Sequence, residues 1–373
     1  MARLRLVLFC GLARALVERE VRVFESRNET VRYLSVVKTS KSWTLVGKRS
    51  VVSHKKKVRE YLVAWRECDA RLRCGDGAAL TDASDAVEQN FAHNAAPFLW
   101  RGQTWYLGGR DDVRRRGRNG VYLWQPLSRP ISAFDGFAAS CEEKRPQFKG
   151  RCEFDGKFSV APLRDSFVLY ARANLAWDAD TRGNFGGRHL QAATFRMSPA
   201  FHFESPFQRL RFIGYPETPG TRDNIYFAAV NANPTDTSTL VGLFPVTSPA
   251  LPEPAIAMAI SCDSITFSSL HILRASSDAS FGRTRDHPVD GFIVTTRRHN
   301  VAFFIQTNVP GIDLRDDLDE GGNTAIVRID LPFLYLRNLT ASALRQLRRD
   351  HYDRSSSIPF PCDDLLLEAG DSR

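Results

Sequence analysis

Asp155 opens a stretch, RCEFDGKFSVAPLRDSFVLYARA from Arg151 to Ala173, in which a carboxylate precedes an apolar run. A polar turn follows, and a second apolar run ends on Arg172 and Asn174. The pattern recurs as HNAAPFLWRGQTWYLGGR from His93, RDNIYFAAVNANP from Arg222 and HPVDGFIVTTRRHNVAFFIQTN from His287. Carboxylates at segment starts are suited to paired acid–base work, and Asp155 and Asp290 are the first candidates, with Asp286 and Asp223 in reserve. An imidazole at the same place, His93 or His287, can exchange protons when its pKa lies near the working pH. Arginines closing the second run, Arg110 and Arg172, can hold a carboxylate or sulfate in a bidentate grip. Each has an ordinary structural alternative. Asp155-Gly156 and Asp290-Gly291 are common turn dipeptides, a buried histidine often bonds a neighbouring strand, and arginines often pair with a structural aspartate.

The elements that must position these residues are strands. The segment starts fall about 60–70 residues apart, too long for a solenoid repeat and suited to one four-stranded propeller blade with its loops. The expected fold is therefore all-β, a five-bladed β-propeller of four-stranded antiparallel blades. Blade one draws on VRYLSVVK, WTLVG and VREYLVAW, followed by a loop from Arg66 to Gln89. Blade two begins at His93, with PFLW, TWYLGGR and GVYLWQ. Blade three begins at Asp155, with KFSVAPL, SFVLYARA, HLQAATFRM and QRLRFIGY. Blade four begins at Asp223-Asn224, with IYFAAV, LVGLFPV and AIAMAIS, and with ITFSSLHIL as the candidate fourth strand. Blade five, near His287, has GFIVTT, VAFFIQT and TAIVRIDL and is one strand short. The N-terminal run VRVF is the expected missing partner, sealing the ring without an open edge. Strands stacked between blades are buried on both faces, which explains near-continuous apolar runs and only partial alternation. In such a ring the innermost strands start at the central cavity, and blades three and five face each other across it, carrying Asp155 and Asp290. A short helix around Thr340 to Asp350 and a polar tail close the chain.

Hydrophobic content of 43% with 25 phenylalanines excludes bulk disorder and supplies large side chains to wedge between blades. Arg3, Arg5, the apolar run from Leu6 to Leu12 and Ala13-Arg14-Ala15 read as a secretory signal with cleavage after Ala15. The expected organisation is a leader at 1–15, a single propeller over 16–345 and a tail over 346–373, in a secreted or endomembrane setting. Cleavage removes Cys10 and leaves six of the seven cysteines. Cys68 with Cys74 and Cys141 with Cys152 can close short loops, and Cys262 with Cys362 can clip the tail to blade four. No C-x-x-C or H-x-x-x-H pair suggests zinc, and no cofactor is expected. The acidic run Asp316-Asp317-Leu318-Asp319-Glu320 has calcium-ligand residue types without the regular loop spacing, so an exposed loop is the expectation. Asn28 and Asn338 stand in glycosylation triplets. Beyond the leader no run of about eighteen apolar residues is present to span a membrane. The net charge of +9 is scattered except for the runs at 54–57 and 114–118, without interleaved aromatic platforms, so nucleic acid is not an expected partner. Those runs fit loop tips or attraction to an anionic glycan.

From Asn90 to Pro310, the layout and segments such as HNAAPFLWRGQTWYLGG, FDGKFSVAPLRDSFVLYARAN and DHPVDGFIV resemble the five-bladed propeller glycoside hydrolases of families 32, 43, 62, 68 and 117. The resemblance implies a carbohydrate ligand, hydrolysed or simply recognised. Glycosidic cleavage needs two carboxyl groups about 5–5.5 Å apart for retention or about 6.5–9.5 Å for inversion. Under this resemblance Asp155 is base or orienting carboxylate, Asp290 or His287 the acid, and Arg172 with Arg110 hold the substrate. His93, Asn94, Asn174, Asn224 and Asn231 would meet sugar hydroxyls, and Tyr226 a pyranose face. Trp105 and Trp177 are expected in the core rather than on the sugar. The sequence departs from the family by lacking an N-D-P-N-G box, a clear first-blade aspartate and a glutamate heading blade four, where Asn224 and Tyr226 stand. That departure keeps a non-catalytic glycan-binding propeller as the alternative.

Overall fold

A computed structural model of the chain describes residues 17–24, 29–39, 42–52, 58–110, 120–126, 128, 131–134, 155–174, 188–215, 224–248, 251, 253–276, 286–295, 299–309, 324–352 and 360–362. The leader with Cys10, Asn28, the basic runs at 54–57 and 114–118, Cys141, Cys152, Trp177, Asp223 and the acidic run at 316–320 lie outside the described residues.

The strands form five antiparallel-dominated sheets, one per blade. Blade one is Glu29–Lys38, Trp43–Val52, Val58–Cys68 and Gly77–Ala79. Blade two is Ala96–Trp100, Gln103–Arg110, Gly120–Trp124 and Ile131–Phe134. Blade three runs through Asp155–Leu163, Ser166–Asn174 and Arg188–Arg196 to the short outer strands His202–Phe203 and Gln208–Arg209. Blade four sets Asn224–Ile225 and Ala229–Asn233 against Asp236–Thr247, then Ala255–Ser261 and His271–Ala275. Blade five sets His287–Pro288 and Ile293–Thr295 against Asn300–Thr307, then Thr324–Pro332. Its missing strand is N-terminal: Val17–Phe24 pairs antiparallel with Thr324–Pro332, from Val17 opposite Asp330 to Phe24 opposite Thr324.

Five apolar cores lie between consecutive sheets, and each one joins two blades. Val46 and Leu62 of blade one meet Tyr106 and Trp124 of blade two. Phe98 meets Phe158 and Leu169 of blade three, and Tyr170 meets Phe244 of blade four. Leu243 meets Phe303 of blade five, and Phe304 returns to Leu34 and Leu45 of blade one. Adjacent residues on one strand, such as Leu169 and Tyr170 or Phe303 and Phe304, therefore serve two different cores. Each such side chain contributes about 1.5–3 kcal/mol by leaving water. This burial of both faces is the origin of the unbroken apolar runs.

Three local differences from the sequence expectation have physical causes. The loop expected over 66–89 contains the outer strand Gly77–Ala79 and leads into helix α1, Ala86–Ala92, which begins where Asp85 accepts bonds from the Val87 and Glu88 amides. His93 is therefore the helix C-cap, and the inner strand of blade two starts at Ala96. The stretch QRLRFIGY is divided between blades, since Arg211–Phe212 leaves blade three and runs parallel to Thr266–Phe267 of blade four. The C-terminal helix α2 is Phe333–Leu347, starting at the residue after the last strand, ahead of the expected Thr340, and continuing into a π-helical turn, Arg348–Tyr352. Leu336 and Ala343 of α2 pack on the core between blades four and five. Disulfides join Cys68 to Cys74 and Cys262 to Cys362, the second fastening the chain after α2 to blade four. No described helix is long and apolar enough to cross a membrane.

Candidate functional site at the propeller axis

The inner strands are stitched to one another around the axis. Phe158 donates its amide to the Asn94 carbonyl at 3.2 Å, and Ser159 Oγ donates to the Val230 carbonyl at 3.1 Å. Asp290 and Leu34–Val36 exchange backbone bonds, with Val36 N to Asp290 O at 2.6 Å and Asp290 N to Leu34 O at 3.0 Å. Gly291, at φ +95°, makes this approach possible, because a Cβ there would lie 2.2 Å from the Val36 carbonyl oxygen.

Lys157 of blade three reaches across to blades five and one. Its ammonium donates to Ser35 Oγ at 2.8 Å, to Asp290 Oδ2 at 3.1 Å and to the Phe158 carbonyl at 3.3 Å, so three N–H groups have three acceptors. Asn231 Nδ2 of blade four donates to Asp290 Oδ1 at 2.9 Å. The Lys157 side chain is 0% exposed and that of Asp290 is 6% exposed, which makes the pair a pin through the ring. Asp290 thus faces blade three as expected, but its partner is Lys157, and both its oxygens already accept bonds from the protein.

A second, contiguous set gathers side chains from all five blades. Blade one supplies Tyr33, Lys48 and Glu60; the others supply His93, Arg172, Tyr226 and His287. Lys48 Nζ donates to Glu60 Oε1 at 2.8 Å, and His93 Nδ1 stands 2.8 Å from Glu60 Oε2 and 3.4 Å from Lys48 Nζ. The Lys48 ammonium lies 5.1 Å from the Tyr33 ring centre. Tyr33 stacks on His287 at 5.9 Å, and Tyr226 and Phe227 enclose the same imidazole at 5.4 and 5.1 Å. Arg172 caps the Tyr226 ring at 4.7 Å and donates from Nη1 to the Tyr226 carbonyl at 3.4 Å. Across the strand pair, Asp155 is the register partner of Arg172. His93 and Glu60, with side chains 20% and 19% exposed, are the most accessible members of the set; Tyr33, Tyr226, Arg172 and His287 are buried.

Backbone irregularity places two of these groups. The ladder of blade one shifts register between Arg32 and Ser35, and Tyr33 inside that bulge sits at φ +54°. A bulge re-aims a side chain, and a positive φ at a tyrosine is an outlier held by its surroundings. In blade three Gly156, at φ +79°, opens a register shift between Asp155 and Ser159.

The remaining expected residues fall in several places. Asn94 is buried and its Nδ2 donates to the Gly109 carbonyl at 2.7 Å, tying two strands of blade two. Asn224 is buried at the first strand of blade four, opposite Thr247. The reserve Asp286 pairs with Arg274; burial raises its pKa, and Arg274 partly offsets that rise. Trp105 meets Trp100 edge-on at 5.8 Å against the core between blades two and three. The side chains of Asp155, Arg110 and Asn174 lie outside the described residues, and only their strand positions are given. Lys48, Glu60, Lys157 and Tyr33 were not among the expected residues. The available signal was Val46-x-Lys48-x-Ser50 and Glu60-x-Leu62-x-Ala64, two strands whose blade-two face turns from apolar to polar at one end.

Burial pushes the Glu60 carboxyl up, but Lys48 and His93, by charge and by hydrogen bond, outweigh it and hold it well below the usual range. A depressed folded-state pKa contributes stability above the ordinary glutamate value, and this is lost as pH falls through the folded value. Glu60→Gln is therefore expected to flatten the fall in urea midpoint as pH drops below the ordinary glutamate range. Parallel pH profiles for the two proteins would remove Glu60 from this role.

No family model and no curated protein matches the sequence. Among solved structures, a GH43_1 enzyme from Xanthomonas citri aligns at a TM-score of 0.50 and 11% identity, covering 86% of this chain and 92% of its own. The catalytic domain of the GH62 alpha-L-arabinofuranosidase from Coprinopsis cinerea aligns at a TM-score of 0.50 and 10% identity, covering 84% and 95%. The chain shares the five-bladed propeller fold of these glycoside hydrolases.

Proposed function

We propose that the protein acts on or recognises an oligo- or polysaccharide at the axial set, as a glycoside hydrolase-like propeller of an oxidising compartment. The observation that carries this reading is the convergence of all five blades on one run of groups, His93–Glu60–Lys48–Tyr33–His287–Tyr226–Arg172. Aromatic faces beside fixed charged donors are what a sugar ring with its hydroxyls requires. The excess of cations over carboxylates in that run favours an acidic glycan. The two disulfides support an oxidising setting.

In the hydrolytic form, Asp155 is the base or orienting carboxylate, and Arg172 and Arg110 hold the substrate. His93, oriented by Glu60, is the proton-transfer group at the accessible edge. Asp290 then serves as the axial anchor and His287 as part of the aromatic wall, instead of giving the proton. One observation favours the non-catalytic form: among the described side chains Glu60, Asp286 and Asp290 each have a cationic partner.

The test sets wild type, Asp155→Asn and His93→Ala against acidic and neutral polysaccharides, reading both binding and released reducing ends. Hydrolysis predicts sugar release that falls by about 10²–10⁴-fold in either variant while binding persists. Binding by all three with no release makes the protein a glycan-recognition propeller. No binding by folded wild type removes the carbohydrate reading.

A further inference from the structure

We propose that blade one carries an oxyanion subsite, the side-on edge of Arg32 with the Thr30 hydroxyl, that takes a carboxylate or sulfate group of the saccharide. The identity of the ligand as a saccharide rests on the function proposed above; the subsite itself rests on blade one. Thr30 and Arg32 alternate along the strand Glu29–Lys38 and so share a face. Their register partners, Ser50 and Lys48, put two more polar side chains on that face. It is the face toward blade two, since Val46 and Leu62, next along the neighbouring strands, pack there with Tyr106 and Trp124.

Arg32 is 8% exposed, yet its Nε and Nη2 are buried and have no hydrogen-bond partner among the described residues; Thr30 Oγ1 is in the same condition. Buried polar atoms are nearly always satisfied, and a buried cation left without a partner is costly. The two unsatisfied nitrogens are not an arbitrary pair. Nε–H and Nη2–H leave the guanidinium on one edge, parallel, with the spacing of two oxygens on a carboxylate or sulfate. The described carboxylate on this face, Glu60, is engaged by Lys48 and His93. Among the described side chains, Arg32 with Lys48 against Glu60 leaves the face one positive charge in excess. A water molecule would satisfy the donors but not the charge, whereas an oxyanion satisfies both, and Thr30 can donate to a second lone pair of a carboxylate oxygen or to a further sulfate oxygen.

The test uses calorimetric titration of wild type, Arg32→Met, Arg32→Lys and Thr30→Val, each first shown folded by circular dichroism and thermal melting. The probes are oligogalacturonate with its carboxyl-reduced counterpart, a sulfated galactan oligosaccharide with its desulfated counterpart, and inorganic sulfate. Wild type is expected to prefer one acidic saccharide over its neutral counterpart by about tenfold or more, and the pair showing the preference identifies carboxylate or sulfate. Arg32→Met should erase the preference while leaving affinity for the neutral form. Arg32→Lys, which keeps the charge and loses the fork, should fall between, and Thr30→Val should reduce the preference if Arg32→Met fails to fold. Equal binding of acidic and neutral forms by wild type, or an undiminished preference in the Arg32 variants, overturns the subsite and leaves the carbohydrate reading standing. Arg32-dependent binding of inorganic sulfate without any saccharide binding does the reverse. Binding of neither class of probe overturns both.

Discussion

Replacing Lys157 with methionine is expected to destabilise the protein by about 3–5 kcal/mol, read as a lowered urea midpoint at neutral pH. Methionine fills nearly the same volume, so the loss is not a cavity effect. It arises because Asp290 would remain in the interior with Asn231 as its side-chain donor and no cation beside it. The double variant Lys157→Met/Asp290→Asn removes the stranded charge and is expected to recover most of the loss, as buried ion pairs replaced whole often do. The pH dependence supplies an independent reading. Burial lowers the Lys157 pKa from its ordinary value, and Asp290 partly opposes that. With the folded value below the unfolded one, the unfolded chain binds the proton more readily in between. Wild-type stability should therefore rise from the folded value toward the ordinary lysine range, and Lys157→Met should lack this slope. A single variant as stable as wild type, or a double variant no better than the single, would refute the pin.

The same pair shows how far the sequence could be read. Spacing alone placed blades three and five opposite each other and gave Asp290 a partner from blade three. Taking the carboxylate at the segment start pointed to Asp155, but Gly156 at positive φ and the register shift before Ser159 break the period of two along this strand. What meets Asp290 is Lys157. The bulge between Arg32 and Ser35 similarly brought Tyr33 to the axis from a strand that reads as ordinary apolar alternation. Blade one looked empty of chemistry because the family-like aspartate is missing. Its polar face is built instead from Lys48 and Glu60 on adjacent strands, joined by His93, 33 residues after Glu60. No local pattern records a contact of that kind. The seven residues of α1 were read as loop, because a helix so short has little periodicity to show; its one local signal is the cap Asp85. The five-blade count was legible because it depends on totals: the segment spacing, and a last blade one strand short.

That last strand carries the second large effect. Truncation through residue 15 is expected to leave the urea midpoint unchanged, and truncation through residue 24 to collapse it. The paired strand begins at Val17, two residues beyond the expected cleavage point, so removal of a leader after Ala15 spares the whole ladder with Thr324–Pro332. Removal of Val17–Phe24 breaks a run of backbone bonds worth about 0.5–1.5 kcal/mol each. It also withdraws Val21 from the core where blade five meets blade one. The loss is not confined to one strand, because a propeller without its closing pair has two ends in place of a ring. Thr324–Pro332 then becomes an unpaired edge, a template for another chain. The longer truncation should accordingly show light scattering at concentrations where the shorter stays monomeric. Equal midpoints for the two would mean that the ring is closed by the core between blades five and one alone. A lowered midpoint for the shorter would mean that residues before Val17 contribute to the fold, which would count against a removable leader.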